Sequence, residues 1–144
     1  MSEFNFNSQV CTSRSQSERL LALGLKPDTA DMVHCIKTRN HLGDEIERHS
    51  YYSFGTEVDE CPLGYAKYEH FPAWSLGRLI EMIPVHVPFS LSVGHLCINR
   101  ERIFYWGEEV VFEWWDNGLT IYDNIISCIE WLIKEGYFPK EYLV

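Results

Sequence analysis

Six histidines and five cysteines are the residues of this chain best suited to metal or nucleophilic chemistry. Their spacing argues against both. No CxxC, HxxxH or HExxH occurs, and those are the intervals that place ligands on one face of an element. The nearest approaches are the adjacent His34-Cys35 and the pair His95/Cys97, which on a strand would share a face. Two ligands do not make a site, and a buried cysteine usually serves as a small hydrophobe. We therefore expect no metal and no cofactor. There is no GxSxG elbow, and no cysteine lies in a recognisable nucleophile signature. Cys128 falls among apolar residues, where burial raises a thiol's pKa and leaves it inert. The carboxylate pairs Glu108-Glu109 and Asp59-Glu60 are adjacent, so on a strand they would point to opposite faces. Gly24, Gly43, Gly55 and Gly64 stand alone and build no phosphate cradle. No residue is assigned a catalytic role.

A different chemistry, recognition by aromatic side chains, is suggested by residues 102–115. With Gly107-Glu108 as a two-residue type II′ turn, Trp106 pairs with Glu109, Phe104 with Val111 and Arg102 with Glu113. Gly107 would then take a positive φ. This register puts Ile103, Tyr105, Val110, Phe112 and Trp114 on one face. The other face carries Arg102, Phe104, Trp106, Glu109, Val111, Glu113 and Trp115. Aromatic residues mixed with arginine are what interface hot spots use. Arg102, Phe104, Trp106, Val111, Glu113 and Trp115 are therefore the candidate binding residues. Two readings stand side by side: the chain's own helices or strands cover this face, or a partner does.

The elements that must position this hairpin can be read from caps and periodicity. Residues 1–14 are polar and form a loosely ordered lead-in. Ser15-Gln16-Ser17-Glu18 fits a capping box, followed by Leu20, Leu21 and Leu23, with Gly24 as the left-handed stop. Pro27 opens a short helical turn reaching Met32. Val33–Lys37, Arg48–Phe54 and Tyr65–Glu69 read as strands. Phe71–Ser75 leads into a helix capped by Ser75, with Leu76, Leu79, Ile80 and Ile83 at helical spacing and Pro84 as the stop. Phe89, Leu91 and Val93 alternate with Ser90 and Ser92, as in a half-buried strand. Gly94 marks a bulge or turn, and Asn99-Arg100-Glu101 a turn. Thr120 caps the last helix, with Asp123 in its first turn and Gly136 at its end. Its polar stripe is Asp123, Ser127, Glu130 and Lys134. The remaining arc is apolar and wide, so this helix should be the most buried element.

Three segments together resemble a known group: Arg19–Met32, Pro72–Pro84 and Ile121–Leu143. The chain resembles small uncharacterised proteins of gut Bacteroides-type bacteria and of their phages or mobile elements. The resemblance covers about half the chain, mostly helices, and implies a lineage. It carries no catalytic or binding residue.

Composition bounds the rest. A chain of 144 residues with 46% hydrophobic and 23% charged residues suits one globular domain, here residues 15–144. The expected fold is α+β: an antiparallel sheet of four to six strands with two or three helices packed on one face. A net charge of −9, spread over both halves, offers no phosphate-neutralising stripe, so no nucleic acid is expected as partner. No apolar run is long enough for a membrane span, and the start has no secretory pattern. An odd, scattered set of cysteines fits reduced thiols in the cytoplasm. The leading functional expectation is a small non-enzymatic module that binds a protein partner or itself, with a homodimer as the simplest case and a mobile element as its source. The alternative is a small-molecule-binding or enzymatic domain with a pocket between sheet and helices. An acidic mimic of nucleic acid is a third idea, and it would need clustered carboxylates where these are dispersed.

Overall fold

Hydroxyl side chains start each α-helix of the described residues. The computed structural model describes residues 9–39, 42–53, 67–89, 92–99, 102–108, 110–114 and 120–144. Among these, α1 (Arg14–Ala22) is capped by Ser13, α2 (Leu76–Met82) by Ser75 and α3 (Ile121–Glu135) by Thr120. Each cap oxygen accepts from the third backbone N–H, one of the donors a helix start leaves unpaired. The cap of α1 lies two residues earlier than the Ser15 box expected from sequence: Ser13 and Gln16 form it reciprocally. Both serines have a suitable partner three residues on. Ser17, the residue two after Ser15, is buried and bonds Thr12 Oγ1 at 2.8 Å. The helix stops follow the expected chemistry. Gly24 has φ +102° and Gly136 φ +80°. Leu25 N–H donates to Leu20 O and Gly24 N–H to Leu21 O, at 3.2 and 3.0 Å, the Schellman pattern.

Seven strands are described, in two antiparallel sheets. One has order β2-β1-β3, from β1 (Met32–Arg39), β2 (Glu45–Ser53) and β3 (Lys67–Ala73). The other runs β4-β5-β6-β7, from β4 (His86–Phe89), β5 (Ser92–Ile98), β6 (Ile103–Trp106) and β7 (Val110–Trp114). The fold is thus α+β, as expected, with two sheets where sequence alternation suggested one. Pro72 and Pro88 both lie in edge strands, where a missing N–H costs no ladder bond. Phe71–Ala73, expected to lead into α2, instead completes β3 by pairing with Met32–His34. The expected single strand through Phe89 and Val93 is also corrected. Phe89 pairs with Ser92, so the chain reverses between them, with Ser90 and Leu91 outside the described residues.

The core lies between the inner face of the four-stranded sheet and the helices. Leu20, Leu79, Met82, Val87, Ile103, Tyr105, Ile125, Ile126, Ile129 and Leu132 are buried together there. The apolar arc of α3 supplies the largest share, as its width predicts. Part of the lead-in is fixed: Thr12 is fully buried and its N–H donates to Trp74 O at 2.9 Å. The C-terminus folds back, with Leu143 bridging to Leu25. The described cysteines, Cys11, Cys35, Cys97 and Cys128, are free thiols. Cys61 lies outside the described residues.

Candidate interaction surface

Alternation divides the four-stranded sheet into a covered and an open face. On the inner side, Ile103 and Tyr105 are fully buried, and Phe112 and Trp114 gather round Trp131 of α3, the Phe112 ring 3.9 Å from its centroid. Tyr105 donates its hydroxyl to Pro84 O at 2.7 Å, and burial holds its phenol far above the ordinary range. Gly94 belongs to this side too. It is no bulge: it pairs with Val87, and a Cβ there would stand 3.2 Å from Val87 Cγ2 and 3.3 Å from Tyr105 Cβ. The sheet closes over Tyr105 only because Gly94 has no side chain.

The outer side carries the opposite residues. One cross-strand row runs His86, His95, Trp106; the next holds Cys97, Phe104 and Glu113. Trp106 is 51% exposed and Val93 47%, while Phe104 is half-buried. Arg102 closes over the second row. Its guanidinium lies 4.4 Å from the Phe104 ring centroid and its Nη1 donates to Glu113 Oε1 at 2.6 Å. Stacking on the ring holds the guanidinium flat, and the carboxylate fixes its rotation.

The hairpin register differs from the sequence expectation in an instructive way. Phe104 pairs with Glu113, Tyr105 with Phe112 and Ile103 with Trp114, and the ladder then shifts so that Trp106 meets Val110. Each residue of β6 up to Tyr105 therefore faces a partner two places further along β7 than expected. A slip of two keeps Ile103, Phe104, Tyr105, Phe112, Glu113 and Trp114 on their predicted faces, whereas a slip of one would have inverted them. Arg102 and Glu113 meet diagonally instead of directly opposite. The loop is longer than two residues, and Gly107 does not take the left-handed φ expected of a type II′ turn. Its lack of a side chain serves close approach instead: a Cβ there would sit 3.1 Å from Val93 O of the neighbouring strand.

The structure thus brings Arg102, Phe104, Trp106 and Glu113 together on one open face. Val111 belongs to β7; Glu109 and Trp115 lie outside the described residues. Sequence reasoning missed Val93, Pro88, His86 and His95 as neighbours of this surface. The signal was present in the alternation of 86–89 and 92–98, but it needed the pairing of Phe89 with Ser92 to align the two strands. His86 and His95 face each other with ring centroids 4.7 Å apart. Among the described residues no three potential ligands converge as a metal site would need.

A cleft of about 560 Å³ lies between the turn at Pro27–Thr29 and α2. Its polar groups are engaged with one another. Asp31 accepts from the Ser75 backbone N–H at 2.8 Å and from its hydroxyl; Arg78 Nε donates to Thr29 O at 2.8 Å and its Nη1 contacts Glu81 at 3.3 Å. The buried thiols are no better placed for catalysis: burial, with Asp31 nearby, pushes Cys11 up to about 11, and burial likewise raises Cys35 and Cys128.

No family model, curated protein or solved structure matches the chain. No helix of the described residues is long and apolar enough to cross a membrane.

Proposed function

We propose that this chain is a non-enzymatic interaction module of the cytoplasm, of the phage or mobile-element lineage that its helices resemble, and that the outer face of its four-stranded sheet docks on a second copy. The observation that carries the reading is Trp106. A tryptophan half in water, beside Val93 and an Arg102-clamped Phe104, is the composition of an interface centre. The face also holds both signs of charge. In a two-fold contact the same patch meets itself, so Arg102 of one copy can approach Glu113 of the other. The exposed ion pair contributes little alone and would serve orientation at the rim.

The indole N–H resonance of Trp106 tests this. It should shift as protein concentration rises from about 10 μM to 1 mM, a range that spans ordinary weak to moderate self-association. The buried Trp74 resonance should stay fixed. A Trp106 signal independent of concentration contradicts self-docking.

A further inference from the structure

Strand register sets two pairs of histidines side by side, and the pairs differ in one respect. In the three-stranded sheet, His34 Nε2 meets His49 Nδ1 at 2.7 Å and His49 Nε2 meets Glu47 Oε1 at 2.8 Å, so the facing nitrogens are engaged. In the four-stranded sheet, His86 and His95 face each other with ring planes at 79°. Among the described residues no hydrogen bond or ion pair engages either of these imidazoles, and both are exposed.

The ladder explains why these two rings stand so close. Leu96 N–H donates to Val85 O at 2.8 Å, which makes 85 and 96 a hydrogen-bonded pair and His86 and His95 the adjacent non-hydrogen-bonded one. Side chains of such a pair are the closest that antiparallel strands offer, with Cα atoms about 4.5 Å apart. Two imidazoles on one tetrahedral ion, with metal–nitrogen bonds of about 2.0 Å, have ring centroids about 5 Å apart. The observed 4.7 Å is near that spacing. The second side-chain torsion of histidine has broad wells, so the nitrogens can be aimed without moving either strand. Imidazole donors suit zinc, copper or nickel, and not calcium or magnesium.

One chain supplies two ligands here, and a closed tetrahedral site needs four. A second copy can supply the rest. Two sheets packed face to face by a two-fold have the axis in the plane between them. On a sheet with strands about 4.8 Å apart and same-face residues about 7 Å apart along each strand, one line joins the midpoint of His86 and His95 to the midpoint of Arg102 and Glu113, and it passes over Phe104. Rotation about that line lays one histidine pair on the other and sets Arg102 against Glu113 of the second copy. A tetrahedron has two-fold axes that exchange its ligands in pairs, so one ion can sit on the line. Stacked sheets stand about 10 Å apart, within reach of histidines meeting at the midplane.

Resting on the self-docking proposed above, we infer that His86 and His95 of two copies share one zinc ion on the two-fold axis, so that the association surface is also a metal site. Zinc suits the arrangement because its four nitrogens need only tetrahedral placement, which two crossed pairs supply. Half of the ligands belong to another chain, and no spacing within one sequence records them.

Zinc chloride added to the metal-free chain tests the shared site, read by sedimentation equilibrium. Zinc bound only by the dimer multiplies the association constant by 1 + [Zn]/Kd, about tenfold when free zinc stands at about ten times the site's dissociation constant. The shift should saturate at one ion per two chains. His86→Gln and His95→Gln should each lose the response to zinc, every variant being compared with its own metal-free association. A wild type that associates equally with and without zinc, a shift that saturates at one ion per chain, or a His95→Gln variant that keeps the response would overturn the shared site and leave self-docking in place. A wild type that stays at the single-chain mass with and without zinc would overturn self-docking and the site with it.

Discussion

Trp74→Ala is expected to remove about 3–5 kcal/mol of folding stability, the largest single loss the fold predicts. The ring is fully buried where β3 runs into α2, among residues of the common core. Its indole Nε1 donates to Thr29 Oγ1 at 3.1 Å, and its backbone exchanges bonds with Thr12, accepting at 2.9 Å and donating at 3.0 Å. The side chain therefore pins the turn after α1 to the start of α2. Alanine would open a cavity that the surrounding sheet and helices cannot fill, because each is fixed by its own ladder. Trp74→Phe keeps most of the volume and loses only the indole hydrogen bond, for about 1–2 kcal/mol. Urea melts of the two variants should therefore separate clearly. Coincident midpoints would show that the ring's packing does not organise the core.

Leu132→Ala should cost about 2–5 kcal/mol for the same reason, at the centre of the apolar arc of α3. Leu132 is fully buried. Its carbonyl accepts from Tyr137 and Phe138 N–H at 2.8 and 3.2 Å, but these bonds belong to the backbone and survive the substitution. The loss thus measures packing alone. Ser127→Ala is the matched control: its hydroxyl only accepts an exposed 3.3 Å bond from Arg19, and its loss should fall within about 0.5 kcal/mol. Equal urea midpoints for the two variants would contradict the orientation of α3.

The sequence was most readable where the deciding interactions are local. Thr120 with Asp123 and the stop at Gly136 mark both ends of α3, because cap and stop chemistry involves residues a few places apart. The same holds for Ser75 and for Gly24. The choice between Ser13 and Ser15 was not local. Gln16 also donates to Asp123 Oδ1 at 2.8 Å, across to the start of α3, and no pattern within α1 records that contact. The division of strands into two sheets was hidden for a similar reason: β1 pairs with both β2 and β3, and the second partner lies beyond residues 54–66. The candidate surface was legible in its face assignment and not in its register. Alternation fixes which side a residue takes, while loop length sets the partner, and the displacement by two residues left the first intact. His34, by contrast, stood out in the sequence only beside Cys35, and nothing there pointed to His49 or Glu47. Its relay to Glu47 exists only because the β1–β2 register sets its ring beside His49.

The central claim is that the outer sheet face is an association surface, and the solution mass of the chain tests it most directly. Sedimentation equilibrium of the wild type and of Trp106→Glu should be run in dilute buffer, with circular dichroism confirming that both are folded. The wild type should approach twice the 16.9 kDa chain mass as concentration rises, and Trp106→Glu should remain at the single-chain mass. A wild type that stays at the single-chain mass, or a Trp106→Glu variant that associates equally well, would contradict it.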